Sequence, residues 1–266
     1  MYYVAHINYI ATYIQQKTMD KFIFALYSFK TAWEFTTKHR LWGYYIIPAI
    51  VSLLVFGTLL FFIWQLATWV SGIFMTLLPA DWLSGSWLSG LLSAVVFGIA
   101  LLFCLKMYRY LMLILLSPAL ALLSEKLQQI WHNTPERPFD LSQLLTDVLR
   151  GIQISLRNLF IELFLTITLT IIGLLLSPIS PIIALLIFVI ESYFVGFSMI
   201  DYRNEFLRLS ARQSRELIWE NKGFTIGIGM TFNLLLWIPV LGVLIAPMLA
   251  VTAAGIGMNK LADRAY

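Results

Sequence analysis

The chain has 266 residues, a formal net charge of +4, 60% hydrophobic side chains and only 12% charged ones, about half the charged share of an ordinary soluble domain. That balance excludes a soluble globular protein and makes the first questions how many segments lie in a bilayer and on which side the charges fall. A single cysteine, Cys104, excludes an intrachain disulfide and a cysteine-rich metal cluster, and His6, His39 and His132 lack metal-ligand spacing.

Enzyme motifs are missing too. No GxxxxGK[ST], HExxH, GxGxxG or GxSxG pattern occurs, so the sequence supports no enzymatic reading and implies no cofactor. Lys and Arg border apolar runs instead of forming a basic stripe, which is membrane-protein placement and not that of a nucleic-acid binder.

In chain order, residues 1–18 carry Lys17 as their only charge and lack the apolar stretch and small-residue cleavage site of a secretory signal. They read as an interfacial or disordered N-terminal extension ahead of a single membrane domain over 19–266, and the run MDKFIFALYSFKTAW from Met19 is itself a typical opening. Charge-free stretches then span Leu41–Ala80, Trp82–Leu105, Leu163–Ile190 and Gly223–Asn259. The last two are interrupted by turn chemistry, Ser177–Pro181 and Ile238–Gly242, and Pro79–Ser89 divides the first pair. The pattern predicts three apolar hairpins.

All 18 Lys and Arg residues lie outside the three turns. The positive-inside rule therefore places both termini and the basic connections in the cytoplasm, with the hairpins rising into an inner (plasma) membrane. Asp81 is the only charge in a turn; Trp82 and Trp87 near it, and Trp33, Trp42, Tyr44 and Tyr45 near the basic end, suit two aromatic belts. The first hairpin has arms of about 36 residues, roughly 54 Å as helix against a hydrocarbon core of about 30 Å. The third has arms of about 15–18 residues, at or below the spanning limit. The second, over Leu159–Gly196, is borderline.

Charges that meet these arms are the candidate functional groups. Lys106 and Arg109, flanked by Tyr108 and Tyr110, share one helix face at i, i+3; they either line an anion route or snorkel to headgroups. Glu191 stands alone in its arm, where it serves proton coupling, pairs with Lys106 or Arg109, or is merely interfacial. Asp201–Lys222 reads as one cytoplasmic helix whose Arg208, Arg212 and Arg215 form a basic face for anionic lipid or a transported anion. Lys38-His39-Arg40-Leu41-Trp42-Gly43 sets two fixed cations at the start of the first long arm, either as an oxyanion site or as ordinary flanking residues.

Several of these residues carry a family resemblance. The run Met199–Ala254 resembles the C-terminal signature of the CysZ-like sulfate permeases and their etoposide-induced-protein relatives: an aromatic arm ending in Asp201-Tyr202, a basic helix, then an apolar stretch with Pro239 and Pro247. LSPALALLSEKL, ending in Glu125-Lys126, and GYYIIPAIV, containing Ile47-Pro48, are similar to two further family segments. The resemblance implies an all-α integral membrane protein with two long transmembrane helices and two shorter, partly penetrating helical hairpins, active in sulfate uptake. Two positions depart from it. Trp42 and Gly43 stand where the permeases carry an arginine pair, and Arg203 follows Asp-Tyr where a proline is usual.

The sequence thus leads to a permease or channel for a small oxyanion, sulfate first. Anion-binding candidates are Lys38, Arg40, Trp42, Gly43, Lys106 and Arg109; coupling or structural candidates are Glu125, Glu191, Asp201 and Arg208. The competing expectation is a membrane scaffold or lipid-interacting protein of the same fold. Membrane lipid is a partner in both, nucleic acid in neither, and a pore from so few long helices calls for a homo-oligomer.

Overall fold

The computed structural model describes residues 2–77, 114–135, 141–238 and 241–263, with positions 90, 91, 94, 97 and 98 between them. The described regular structure is helical throughout: α1 (Tyr2–Lys38), α2 (Gly43–Leu77), α3 (Ser117–His132), α4 (Leu141–Leu175), a short 3-10 turn (Ser177–Ile179), α5 (Ser180–Phe206), α6 (Ala211–Glu220), α7 (Lys222–Leu236) and α8 (Leu241–Asp263). Asp81, Trp82, Trp87, Cys104, Lys106 and Arg109, most of the second arm of the first hairpin, lie outside the described residues.

Four stretches are long and apolar enough to cross a membrane: Gly43–Val70, Leu149–Leu175, Ser177–Phe206 and Leu244–Asp263. α1 is continuous from Tyr2, so it includes the segment ahead of Met19; no Gly or Pro between positions 2 and 38 stops it. α4 matches α2 at 35 residues, because Arg150, Arg157 and Glu162 fall within the helix instead of ending it. Ser177-Pro178 and Pro181 turn α4 into α5. α7 has 15 residues, about 22 Å of helix and short of a bilayer core, as the third hairpin's first arm requires. α8 runs on past Asn259 to 23 residues.

The stretch Asp201–Lys222 is not one helix. α5 ends after Phe206 in a left-handed turn: the Leu209 N–H reaches the Asn204 carbonyl at 3.0 Å, the Arg208 N–H reaches Glu205 at 2.8 Å, and Arg208 has φ 55°. Ser210 then caps α6 reciprocally with Gln213, the S-x-x-Q form of a capping box. Arg208 is therefore separated from Arg212 and Arg215, which sit on exposed positions of α6, and the single basic face does not form. Arg212 is partnered by Glu216 at 2.9 Å.

Glycines set the packing of α7. A Cβ at Gly229 would lie 1.7 Å from the Ser192 carbonyl oxygen, and one at Gly196 would lie 1.9 Å from that of Thr225. α5 and α7 thus cross through a small-xxx-small contact on each helix, the device that lets membrane helices approach when lipid supplies no hydrophobic drive between them. Gly223 and Gly227 perform the same function toward Thr18 and Ala25 of α1. Phe224, Phe232, Ile228, Met248 and Ile256 fill the resulting core.

Candidate functional site

The α1–α2 turn holds the first group of predicted residues. Lys38 ends α1, and Arg40, with φ 53°, closes it through Leu41 N–H to Thr36 carbonyl (2.9 Å) and Arg40 N–H to Thr37 carbonyl (3.3 Å) bonds. This left-handed cap usually takes glycine. Lys38 and Arg40 are both exposed, and neither forms an ion pair among the described residues. Trp42 packs between Trp33 (4.8 Å between ring centroids) and Tyr45 (5.1 Å), while Gly43 opens α2 with nothing within 4 Å of where a Cβ would stand.

The turn is anchored from below. Tyr45 Oη bridges Thr36 Oγ1 and Thr252 Oγ1 at 3.1 Å each, joining α1, α2 and α8. The N–H groups of Tyr44 and Tyr45 already bond to the Leu41 and Trp42 carbonyls. The start of α2 therefore keeps fewer free backbone donors than its position suggests.

A second group is built around Arg150 of α4. Its Nη2 donates to Asp201 Oδ1 (3.4 Å) and to the Leu209 carbonyl (3.2 Å), and Nη1 lies 3.5 Å from Glu205 Oε2. Asp201, nearly fully buried, also accepts from Ser214 Oγ of α6. Ser214 accepts in turn from Asn204 Nδ2 at 3.0 Å. Asn204 Oδ1 accepts from Arg203 Nη1 (3.3 Å), whose Nε donates to Asn259 Oδ1, and Asn259 Nδ2 donates to Gln128 Oε1 (2.9 Å). One hydrogen-bonded chain thus ties α3, α4, α5, α6 and α8 together. A buried carboxylate survives only with such partners, so Asp201 serves here as a structural hub.

Of the other predicted residues, Glu125 accepts from Gln129 within α3 (3.2 Å). Glu191 is half-buried midway along α5 and engaged within the protein, and Arg208 is exposed on the turn that Arg150 holds through Leu209. The predicted residues thus fall into two groups, the α1–α2 turn and the end of α5. Sequence reasoning missed Arg150, Arg203, Gln128 and Asn259 as members of the network. It also missed Asn158 and Glu162, both buried on α4; the available signal was polar residues recurring every four positions on an otherwise apolar helix.

Long apolar helices with lipid-compatible outer faces, a close glycine-lined hairpin and cations at the head of a spanning helix define an all-α polytopic membrane protein. Residues 28–247 match the family model described as Sulfate transporter CysZ/Etoposide-induced protein 2.4. The chain belongs to that family, and a transporter description agrees with the non-enzymatic reading. No curated protein matches the chain closely enough to add a relative.

Proposed function

We propose that the protein is an inner-membrane permease or channel for a small oxyanion, with sulfate the first candidate, Lys38 and Arg40 capturing the anion, and Lys106 and Arg109 lining its route. The observation that carries this reading is the α1–α2 turn. Two exposed cations without ion-pair partners among the described residues stand at the head of the Gly43–Val70 stretch, and one of them occupies a left-handed position that costs a non-glycine residue about 1–2 kcal/mol. Among the described residues the Arg40 side chain forms no ion pair or hydrogen bond in return; what it supplies is an exposed, fork-shaped cation. Both termini are cytoplasmic in this reading, and copies of the chain pack together around the route.

Radiolabelled sulfate flux into liposomes is the test. Wild-type protein should carry sulfate, and Lys38→Ala with Arg40→Ala should reduce flux at least tenfold while insertion stays normal. Arg109→Ala should lower it and Arg109→Lys restore part. Native mass spectrometry from nanodiscs should find oligomers. One observation favours the lipid-interacting alternative: Trp219 is exposed with Lys222 Nζ 5.1 Å from its ring centre, a pairing suited to a headgroup layer. Folded, inserted protein with no flux above empty vesicles would decide for that alternative.

A further inference from the structure

Buried polar atoms in a native fold nearly always find partners. Among the described residues five form no hydrogen bond, Ser52 Oγ, Gln128 Nε2, Arg150 Nη1, Asn158 Nδ2 and Thr166 Oγ1, and of these Arg150 Nη1 still has an ion-pair partner in Glu205 Oε2 at 3.5 Å. Each belongs to a group able to donate a hydrogen bond. At the amides of Gln128 and Asn158 what is missing is an acceptor, and at the hydroxyls of Ser52 and Thr166 a partner of either kind.

Three of the five lie on α4 in one row of four-residue spacing, Arg150–Ile154–Asn158–Glu162–Thr166, a ridge that winds slowly around the helix. The row stays partly or fully buried along its length, with Asn158 4% exposed and Glu162 0%. It falls within the Leu149–Leu175 stretch, and the rise from Arg150 to Thr166 is about 24 Å along the axis. The opposite side of α4 turns Phe160, Phe164 and Ile167 outward, as a lipid-facing surface does. Burying unpaired polar groups inside a membrane span is costly, and a run of them is tolerated where water or a passing solute supplies the missing partner. Glu162, itself engaged within the protein, sits midway in the row. A carboxylate there disfavours a resting anion.

We infer that the buried row of α4, with Asn158 and Thr166 as its inner donors and Arg150 at its basic end, lines a hydrated route for the oxyanion. The inference rests on the permease reading above and extends it to a helix that carries none of the capture residues.

Two measurements test it. Thr166→Cys and Phe164→Cys, each made in Cys104→Ser protein in liposomes, are treated with a charged methanethiosulfonate reagent. Thr166→Cys should react at least tenfold faster than Phe164→Cys, and sulfate should slow it severalfold. Asn158→Leu and Thr166→Val should each lower sulfate flux at least fivefold while the thermal midpoint holds or rises, since replacing an unpaired buried polar group by an apolar one does not destabilise the fold. Equal reactivity of the two cysteines, or unchanged flux in both apolar variants of a protein that does carry sulfate, overturns the route and leaves the permease standing. If wild-type protein carries no sulfate the permease reading fails, and the cysteine comparison still decides whether the row is hydrated.

Discussion

Replacing Gly229 by alanine tests the packing on which the fold depends. The added Cβ would meet the Ser192 carbonyl oxygen at 1.7 Å, the Ser192 carbonyl carbon at 2.6 Å and the Gly196 nitrogen at 2.8 Å, all of them backbone atoms that no rotamer change can move. An ordinary carbon–oxygen approach is about 3.3 Å, so α5 and α7 must part by about 1.6 Å at their crossing. Overpacking of this kind costs about 1–3 kcal/mol. The separation also breaks the Asn233 Nδ2 to Ser192 Oγ bond, now 3.2 Å, which adds about 0.6–2 kcal/mol for a hydrogen bond between membrane helices. A combined loss of about 2–5 kcal/mol lowers the thermal midpoint by roughly 4–20 °C for a chain of this size, measured by heating in detergent and following the folded fraction by size-exclusion fluorescence. Gly57→Ala is the control, since nothing lies within 4 Å of its Cβ position, and it should be neutral or stabilise by up to about 1 kcal/mol. A Gly229→Ala midpoint within 2 °C of Gly57→Ala (roughly 1 kcal/mol here) would refute the close crossing.

Three further outcomes are expected. Arg150→Met leaves Asp201 and Glu205 without the cation they share and should cost about 2–4 kcal/mol in thermal stability, with Arg150→Lys recovering part. Arg40→Gly and Arg208→Gly relieve left-handed backbone and should each stabilise by about 1 kcal/mol, yet sulfate flux should fall for Arg40→Gly. Tyr45→Phe removes the hydroxyl that joins Thr36 to Thr252; it should cost about 1–3 kcal/mol, and a double-mutant cycle with Thr252→Val should be non-additive.

Charge-free windows located α2, the α4–α5 hairpin with its Ser177–Pro181 turn, and the short α7, because lipid-facing helices must be apolar over a bilayer's depth. The same windows misjudged where helices end. Starting the second hairpin at Leu159 left Asn158 and Arg150 outside it, and Glu162, inside it, drew no attention; the partners or burial of these residues come from elements far along the chain, and Arg150 and Asp201 stand 51 positions apart. The break at Leu207–Ser210 was partly legible, since Ser210 and Gln213 have capping-box spacing, but an arginine in the left-handed position gives no glycine-like signal. Lys38 and Arg40 could be singled out because flanking cations follow a simple rule; that neither forms an ion pair among the described residues depends on a turn whose conformation only the assembled helices fix.

The seclusion of α8 bears on how the chain is made. In its Leu244–Asp263 stretch 78% of the most apolar window is buried inside the protein, against 17% for Gly43–Val70, and Thr252 and Asn259 lie within its buried residues. Such a helix has little to gain from lipid and needs protein for company. Its partner α7, short and lined with Gly223, Gly227 and Gly229, fits only against backbones already in position. Synthesis runs from the N-terminus, so α1 and α5 leave the ribosome before the pair that docks between them. The last hairpin thus docks on surfaces that the earlier part of the same chain provides, and the burial of α7 and α8 is completed by packing against α1 and α5.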